Sequence, residues 1–143
     1  MGTDRLNQLL FISVLLFSAG CVASSKAPDT KVLEARSKLK DYALVTCLIA
    51  IDPDSELAED LKLSKRSLSF MGNGEYTIVQ NEETFETRTD PYAEASSVLI
   101  DEAAQSLGYM KNGKTSRSFG CLKAYQSKRF NHFIAGQDEY IEY

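Results

Sequence analysis

The sequence is short of the side chains that most enzymes use for proton transfer or nucleophilic attack. His132 is the only histidine in 143 residues, and it lies in a segment with helical periodicity. A catalytic cysteine needs a reactive thiolate beside such a base, whereas Cys47 and Cys121 lie in helical segments and are interpreted as structural. We interpret His132 as a surface residue. We therefore expect a protein that is not an enzyme.

The sequence also lacks an excess of positive charge and the motifs of metal and phosphate sites. The net charge is −4, which argues against nucleic acid because that ligand requires a basic footprint. Asp52, Asp54 and Glu56 resemble the start of a calcium loop, but Leu57 stands where such a loop needs glycine. The Gly-Asn-Gly segment at 72–74 lacks the lysine and hydroxyl of a phosphate loop. We expect no metal, no cofactor, no nucleic acid and no small-molecule substrate.

Hydrophobic runs long enough to cross a membrane are missing as well. Leu9–Phe17 is apolar except for Ser13, and it is too short to span the roughly 30 Å of a bilayer core as a helix. A short apolar run after a positive residue, here Arg5, is typical of a signal peptide. We predict that residues 1–20 are a signal peptide. After Cys21 no apolar run reaches membrane length, so a lipid would be the means of membrane attachment.

The residues that follow this run resemble a bacterial lipoprotein cleavage box. Ala19 and Gly20 precede Cys21, and in such boxes the cysteine becomes the lipidated first residue of the mature chain. The usual leucine three positions before the cysteine is replaced by Ser18. We predict lipidation at Cys21 and a lipid-anchored periplasmic protein. The alternative is ordinary cleavage near Ala23, which would leave a soluble periplasmic protein.

Two of the three cysteines remain once Cys21 carries lipid. Cys47 and Cys121 form an even pair in an oxidising compartment, where disulfides form and persist. A bond between them would close a long loop, worth about 4 kcal/mol in the chain-entropy model. We predict this disulfide. The alternative is two separate buried thiols that act as small hydrophobic side chains.

The hydrophobic periodicity predicts a small all-α bundle of about four helices, with one long irregular segment and one disulfide. Residues 21–30 read as a tether and residues 31–143 as a single domain. Asp52-Pro53 and Asp90-Pro91 each combine a capping residue with a proline suited to a helix start. The predicted helices cover about 30–51, 52–71, 90–107 and 116–135. The irregular segment covers 75–89, with room for a short hairpin.

Charge is distributed unevenly along the chain. No acid occurs between Glu102 and Asp138, although this stretch carries six bases, while the segment from Asp52 to Asp90 is mostly acidic. The bases are Lys111, Lys114, Arg117, Lys123, Lys128 and Arg129. This polarity indicates either complementarity within the chain or a surface built for a charged partner.

Three fragments of the chain resemble the periplasmic immunity proteins of type VI secretion amidase effectors, specifically the fourth amidase immunity family. The fragments are Asp41-Tyr42 followed by Cys47, Val98–Asp101, and the Cys-Leu-Lys-Ala-Tyr-Gln-Ser run at 121–127. The resemblance extends over about 38–134. It implies a small helical domain, often a homodimer, that binds a cell-wall-cleaving cysteine amidase and blocks its active-site cleft.

In that family a protruding loop enters the enzyme's groove while a helix contacts its rim. By position the loop would be Met110–Ser116, with the preceding helix as the second contact. The resemblance thus implies partner-binding residues in this region, with apolar anchors and a narrow polar tip. The anchors are Tyr92, Tyr109 and Met110, and the tip residues are Asn112, Gly113 and Lys114. The alternative interpretation is that Tyr109 and Met110 cap the core.

Two alternatives remain open at the level of the sequence. The 75–89 segment is richer in threonine and glutamate, and longer, than the family leads us to expect. It is therefore a second candidate for the inhibitory loop. In addition, a helical envelope lipoprotein that binds or assembles a partner without inhibiting an enzyme would share most of these features.

Overall fold

The computed structural model describes residues 28–143. The predicted signal peptide at 1–20, the predicted lipidation site Cys21 and most of the predicted tether at 21–30 lie outside these residues. Among the described residues, no helix combines the length and the apolar composition needed to cross a membrane.

Most of the described chain is helical, as the sequence predicts, with two small antiparallel hairpins added. The helices are α1 Thr30–Ile49, α2 Glu56–Leu68, α3 Pro91–Gln105, α4 Arg117–Tyr125 and α5 Lys128–Ala135, followed by a 3₁₀ helix at Asp138–Tyr140. The hairpins pair β1 Val79–Gln80 with β2 Thr87–Thr89, and β3 Gly108–Tyr109 with β4 Thr115–Ser116. The short hairpin expected within 75–89 is thus confirmed.

Helix α1 is the central element, because it contacts each of the other four α-helices. Its buried side chains recur every three or four residues: Val32, Ala35, Leu39, Ala43 and Cys47. Residues 44–51 are apolar except for Thr46 and Cys47, a composition typical of a helix that is buried on all sides, but this stretch is not buried on all sides. Leu44 and Leu48 are only half-buried and Ala50 is exposed, because the surrounding helices cover one side of α1 fully and the other in part.

The predicted start of α2 is also wrong, while that of α3 is confirmed. Ser55, rather than Asp52, caps α2 by accepting a hydrogen bond from the Ala58 amide at 3.1 Å. Residues 50–55 form turns, so the proline in this segment lies before the helix. At α3, Asp90 accepts hydrogen bonds from the two amides that follow Pro91, at 3.0 and 3.1 Å.

The single helix predicted over 116–135 is two helices. Ser127 has an extended backbone and accepts a hydrogen bond from the Phe130 amide at 3.0 Å. It therefore separates α4 from α5 and caps the start of α5. The structure therefore has five α-helices within 28–143 instead of about four.

Helix α4 packs against α3 through small residues. A Cβ atom on Gly120 would lie 2.5 Å from the carbonyl oxygen of Ala103. Any residue other than glycine would therefore clash with α3 at this position. The buried residues of α4 are accordingly small: Gly120, Cys121 and Ala124. Phe119 and Leu122 are large and apolar, but both face outward, and each residue is 49% exposed.

The C-terminal segment closes the core beside α1. The amide of Thr77 donates to the carbonyl of Tyr140 at 2.9 Å, and Ile141 forms a bridge with Tyr76. Arg36 in α1 makes a two-pronged ion pair with Asp138, including a 2.8 Å bond from its Nε atom. This packing buries Tyr76 almost completely, and burial raises the pKa of its phenol.

Two cross-links join α1 to α4. Cys47 and Cys121 are bonded, with their Cα atoms 5.9 Å apart and 74 positions apart in sequence. The Tyr125 hydroxyl donates a hydrogen bond to Asp41 Oδ1 at 2.8 Å. The predicted disulfide is confirmed. All four residues belong to the fragments that carry the family resemblance, so those fragments correspond to the scaffold.

The disulfide should contribute a large share of the stability. For the double variant Cys47→Ala/Cys121→Ala we expect the free energy of unfolding to fall by about 2–4 kcal/mol, because the unfolded chain regains the entropy of an open loop. Urea denaturation of the oxidised parent and the variant measures the difference. A fall below about 0.5 kcal/mol, the usual scale of surface substitutions, would contradict this expectation.

The Tyr125–Asp41 bond should make stability decline at alkaline pH. Burial, together with Asp41, raises the pKa of Tyr125 to about 12, whereas an unfolded tyrosine titrates near about 10. The folded state then holds a proton that the unfolded state releases, so this contribution is complete below about pH 10 and is lost as the pH rises toward 12.

Urea midpoints of the parent and of Tyr125→Phe, compared between pH 8 and pH 11, test this assignment. The parent should be the more stable protein at pH 8, and the difference should shrink as the pH rises. A difference that stays constant across this range would show that the phenol is not the titrating group.

Candidate partner-binding surface

The β3–β4 hairpin connects α3 to α4 and carries most of the predicted partner-binding residues. Its two paired positions are Gly108 with Ser116 and Tyr109 with Thr115. At the tip, the Met110 amide donates to the Lys114 carbonyl at 2.8 Å. Backbone hydrogen bonds therefore join the two sides of the hairpin as far as Met110 and Lys114.

The Asn-Gly sequence at 112–113 builds the turn. Asn112 Oδ1 accepts a hydrogen bond from the Lys114 amide at 3.1 Å. Gly113 has a φ of 80°, which is in the left-handed region that glycine adopts without steric cost. Apart from Gly113 and its two chain neighbours, no residue has a heavy atom within 4 Å of the position that a Cβ atom on Gly113 would occupy. The tip is therefore narrow and stands free of the rest of the chain.

The tip presents two neighbouring apolar side chains to solvent. Tyr109 is 80% exposed and Met110 is 59% exposed, and residues 111–115 are exposed as well. The structure therefore brings together five of the six predicted partner-binding residues on one hairpin. They are Tyr109, Met110, Asn112, Gly113 and Lys114.

Tyr92, the sixth, is a core residue, and its prediction as a surface anchor is wrong. Only 2% of it is exposed. Its hydroxyl oxygen accepts a hydrogen bond from the Tyr76 amide at 3.1 Å, and its ring meets the edge of Tyr42 with centroids 4.9 Å apart. It also lies in the first turn of α3, about 20 Å along the helix from the hairpin.

The outer face of α4 continues the hairpin surface, and sequence periodicity alone did not locate it. Phe119 and Leu122 lie on the side of α4 opposite its buried residues, with Lys123 beside them. The ring of Phe119 packs directly on Gly108. A Cβ atom on Gly108 would lie only 2.8 Å from two carbons of that ring. The base of the hairpin and the first turn of α4 therefore form one continuous surface.

This surface is basic, and its charges are not neutralised within the described chain. In residues 28–143, no acid lies within 4.0 Å of Lys111, Lys114, Arg117 or Lys123. The ion pairs found there involve other bases, such as Arg36 with Asp138. Of the two interpretations of the charge pattern, direct pairing within the chain is therefore not observed for these four residues.

Arg117 has a structural role in addition to its charge. Its guanidinium donates to the carbonyls of Ile51 at 2.9 Å and Ala50 at 3.2 Å. These carbonyls belong to the end of α1, which has no basic residue in its own last turn. A cation at this position satisfies free carbonyls and interacts favourably with the helix dipole. It also fixes the start of α4, and with it the second strand of the hairpin, against α1.

The β1–β2 hairpin is the other candidate loop, and it differs in charge. Its tip carries Phe85, which is 75% exposed and has a φ of 57°, a conformation that is rare for a bulky residue. Asn81 organises the turn by accepting hydrogen bonds from the amides of Glu83 and Thr84. The tip is acidic, with Glu82, Glu83 and Glu86.

Three clefts of the described chain are small. Their volumes are about 90, 190 and 280 Å³, below the roughly 300–1,000 Å³ of typical ligand pockets. The one of about 280 Å³ is lined by Leu33, Arg36, Ser37, Lys40, Tyr125, Asn131 and Ile134. Within 28–143, no group of three or more potential metal ligands converges. His132 is exposed, and neither Cys47 nor Cys121 is a free thiol.

Comparison of this chain with protein-family models, curated proteins and solved structures finds no match.

Proposed function

We propose that this chain is an immunity protein that binds a peptidoglycan amidase delivered by a type VI secretion system and blocks its active-site cleft with the β3–β4 hairpin. The observation that carries the proposal is the tip of this hairpin, where the consecutive residues Tyr109 and Met110 are both exposed. Exposed apolar residues at a loop tip lack a folding role and are typical anchors for a partner. The family resemblance supplies the identity of that partner.

The mechanism requires no chemistry by the chain itself. A two-stranded hairpin whose turn contains Asn112 and Gly113 is narrow enough to enter a groove that accommodates a peptide. Tyr109 and Met110 would fill apolar subsites, while Lys114 would pair with carboxylates at the edge of the groove. Occupying the groove denies the substrate access to the catalytic cysteine.

The frame behind the hairpin supports tight binding. The strands join α3 and α4, which are in close contact where Gly120 meets Ala103. The Cys47–Cys121 bond then links α4 to the central helix. A loop held in position before binding loses less conformational entropy when it binds.

Between the two candidate hairpins, the structure favours β3–β4 as the inhibitory element. It presents two adjacent apolar side chains, whereas β1–β2 presents Phe85 alone among acids. It is also anchored by a packed helix at each end, whereas the strand β1 follows an extended segment and its pairing with β2 shifts register at Val79.

The location follows from the same proposal. Export through residues 1–20 and lipid attachment at Cys21 would place the chain in the periplasm, where a cell-wall amidase acts. We propose a homodimer on the same grounds of resemblance. The chain would need neither a cofactor nor a catalytic activity of its own in this role.

Co-expression in the periplasm tests this function. An amidase effector of the type VI class, directed to the periplasm, should lyse cells, and the parent chain should prevent lysis. We expect the double variant Tyr109→Ala/Met110→Ala to lose protection, because its hairpin lacks both anchors. Phe85→Ala, which removes an equally exposed aromatic side chain from the other hairpin, should retain protection.

The variants also separate the alternatives. Loss of protection with Phe85→Ala and not with the double variant would assign inhibition to β1–β2. If the parent chain is abundant, exported and still does not prevent lysis, the immunity function is contradicted, and an envelope lipoprotein that binds a partner without inhibition becomes the better description.

A further inference from the structure

The family resemblance implies that the helix preceding the hairpin, α3, makes the second contact with the partner. The exposed residues of α3 do not favour that assignment. The exposed residues of α3 are small or polar, and two of them are acids: Ala93, Glu94, Ser97, Asp101, Ala104 and Gln105. A helix face of this composition offers no large apolar anchor. In contrast, the outer face of α4 exposes Phe119 and Leu122 at 49% each, with Lys123 next to them.

We infer that the outer face of α4, formed by Phe119, Leu122 and Lys123, is the second contact of the partner-binding surface, and that the partner surface facing it is an acidic protein surface with an apolar centre. This inference rests on the proposed function and adds the position and chemistry of the contact. Phe119 already packs on Gly108 at the base of the hairpin, so the two contacts are continuous.

The charges determine the chemistry of the partner. Three bases lie on the hairpin tip and on the outer side of α4, and no acid of the described chain lies within 4.0 Å of them. These bases are Lys111, Lys114 and Lys123. The sequence carries no acid from 103 to 137, so neither the hairpin nor α4 contributes an acid to this face. Complementary potential favours a carboxylate-rich partner and accelerates its association.

A protein partner fits this surface better than an anionic membrane. Helix α4 has nine residues and exposes two large apolar side chains, whereas helices that bind in the membrane interface bury a continuous apolar face. The net charge of the whole chain is −4, which opposes adsorption to an anionic surface.

Matched substitutions test the inference by measuring affinity for the same purified amidase, made inactive by replacing its catalytic cysteine. Leu122→Asp introduces a charge into the proposed contact and should weaken binding by at least about 30-fold. Leu33→Asp is the control, since Leu33 is 51% exposed and lies in α1 about 20 Å along the helix from Cys47. It should leave the affinity unchanged.

Charge is tested separately. Lys123→Glu should slow association about tenfold at low salt and weaken its dependence on ionic strength, while Lys31→Glu, the same change near the start of α1, should not. Because Lys123 is exposed, this variant is expected to fold, and its thermal unfolding midpoint verifies that.

The outcomes separate the two proposals. An amidase that does not bind the parent chain overturns both. An amidase that binds the parent, Leu122→Asp and Lys123→Glu equally well overturns only the inference about α4. Binding of the unlipidated Cys21→Ser chain to phosphatidylglycerol vesicles, lost in Lys123→Glu, would assign the basic face to membranes and would also overturn it.

Discussion

The disulfide between the central helix and α4 is the constraint on which the rest of the structure depends. Cys121 lies near the start of α4, only a few residues after the hairpin, so the bond to Cys47 determines where the hairpin leaves the core. The Arg117 bonds to the end of α1 and the close approach of Gly120 to Ala103 act on the same turn. Together they give a rigid base to a hairpin tip that is exposed to solvent.

Much of this frame could be predicted from the sequence, because its signals are local. The spacing of apolar residues predicts α1, and the Asp90-Pro91 pair predicts the start of α3. The predicted export signal makes a bond between Cys47 and Cys121 the expected outcome. Other features depend on tertiary contacts. Ser55 caps α2 instead of Asp52, and Ser127 divides a helix that periodicity alone makes continuous.

The candidate site shows where sequence patterns fail most clearly. Periodicity assigns large apolar residues to the inner side of a helix, but α4 approaches α3 so closely that only small residues fit between them. Phe119 and Leu122 are therefore turned outward, which no local signal indicates. For Tyr92 the error is the opposite one: the residue is predicted as a surface anchor but lies in the core. An aromatic side chain with a polar end is equally suited to both places.

We propose that the disulfide-linked helical frame presents the hairpin tip and the basic, partly apolar face of α4 as one surface for a protein partner. Hydrogen–deuterium exchange on the chain, alone and bound to an inactive amidase, tests that claim most directly. The account predicts that binding slows exchange at the amides of 109–115 and of the first turns of α4. Slower exchange confined to 81–86, with the β3–β4 hairpin unchanged, would contradict it.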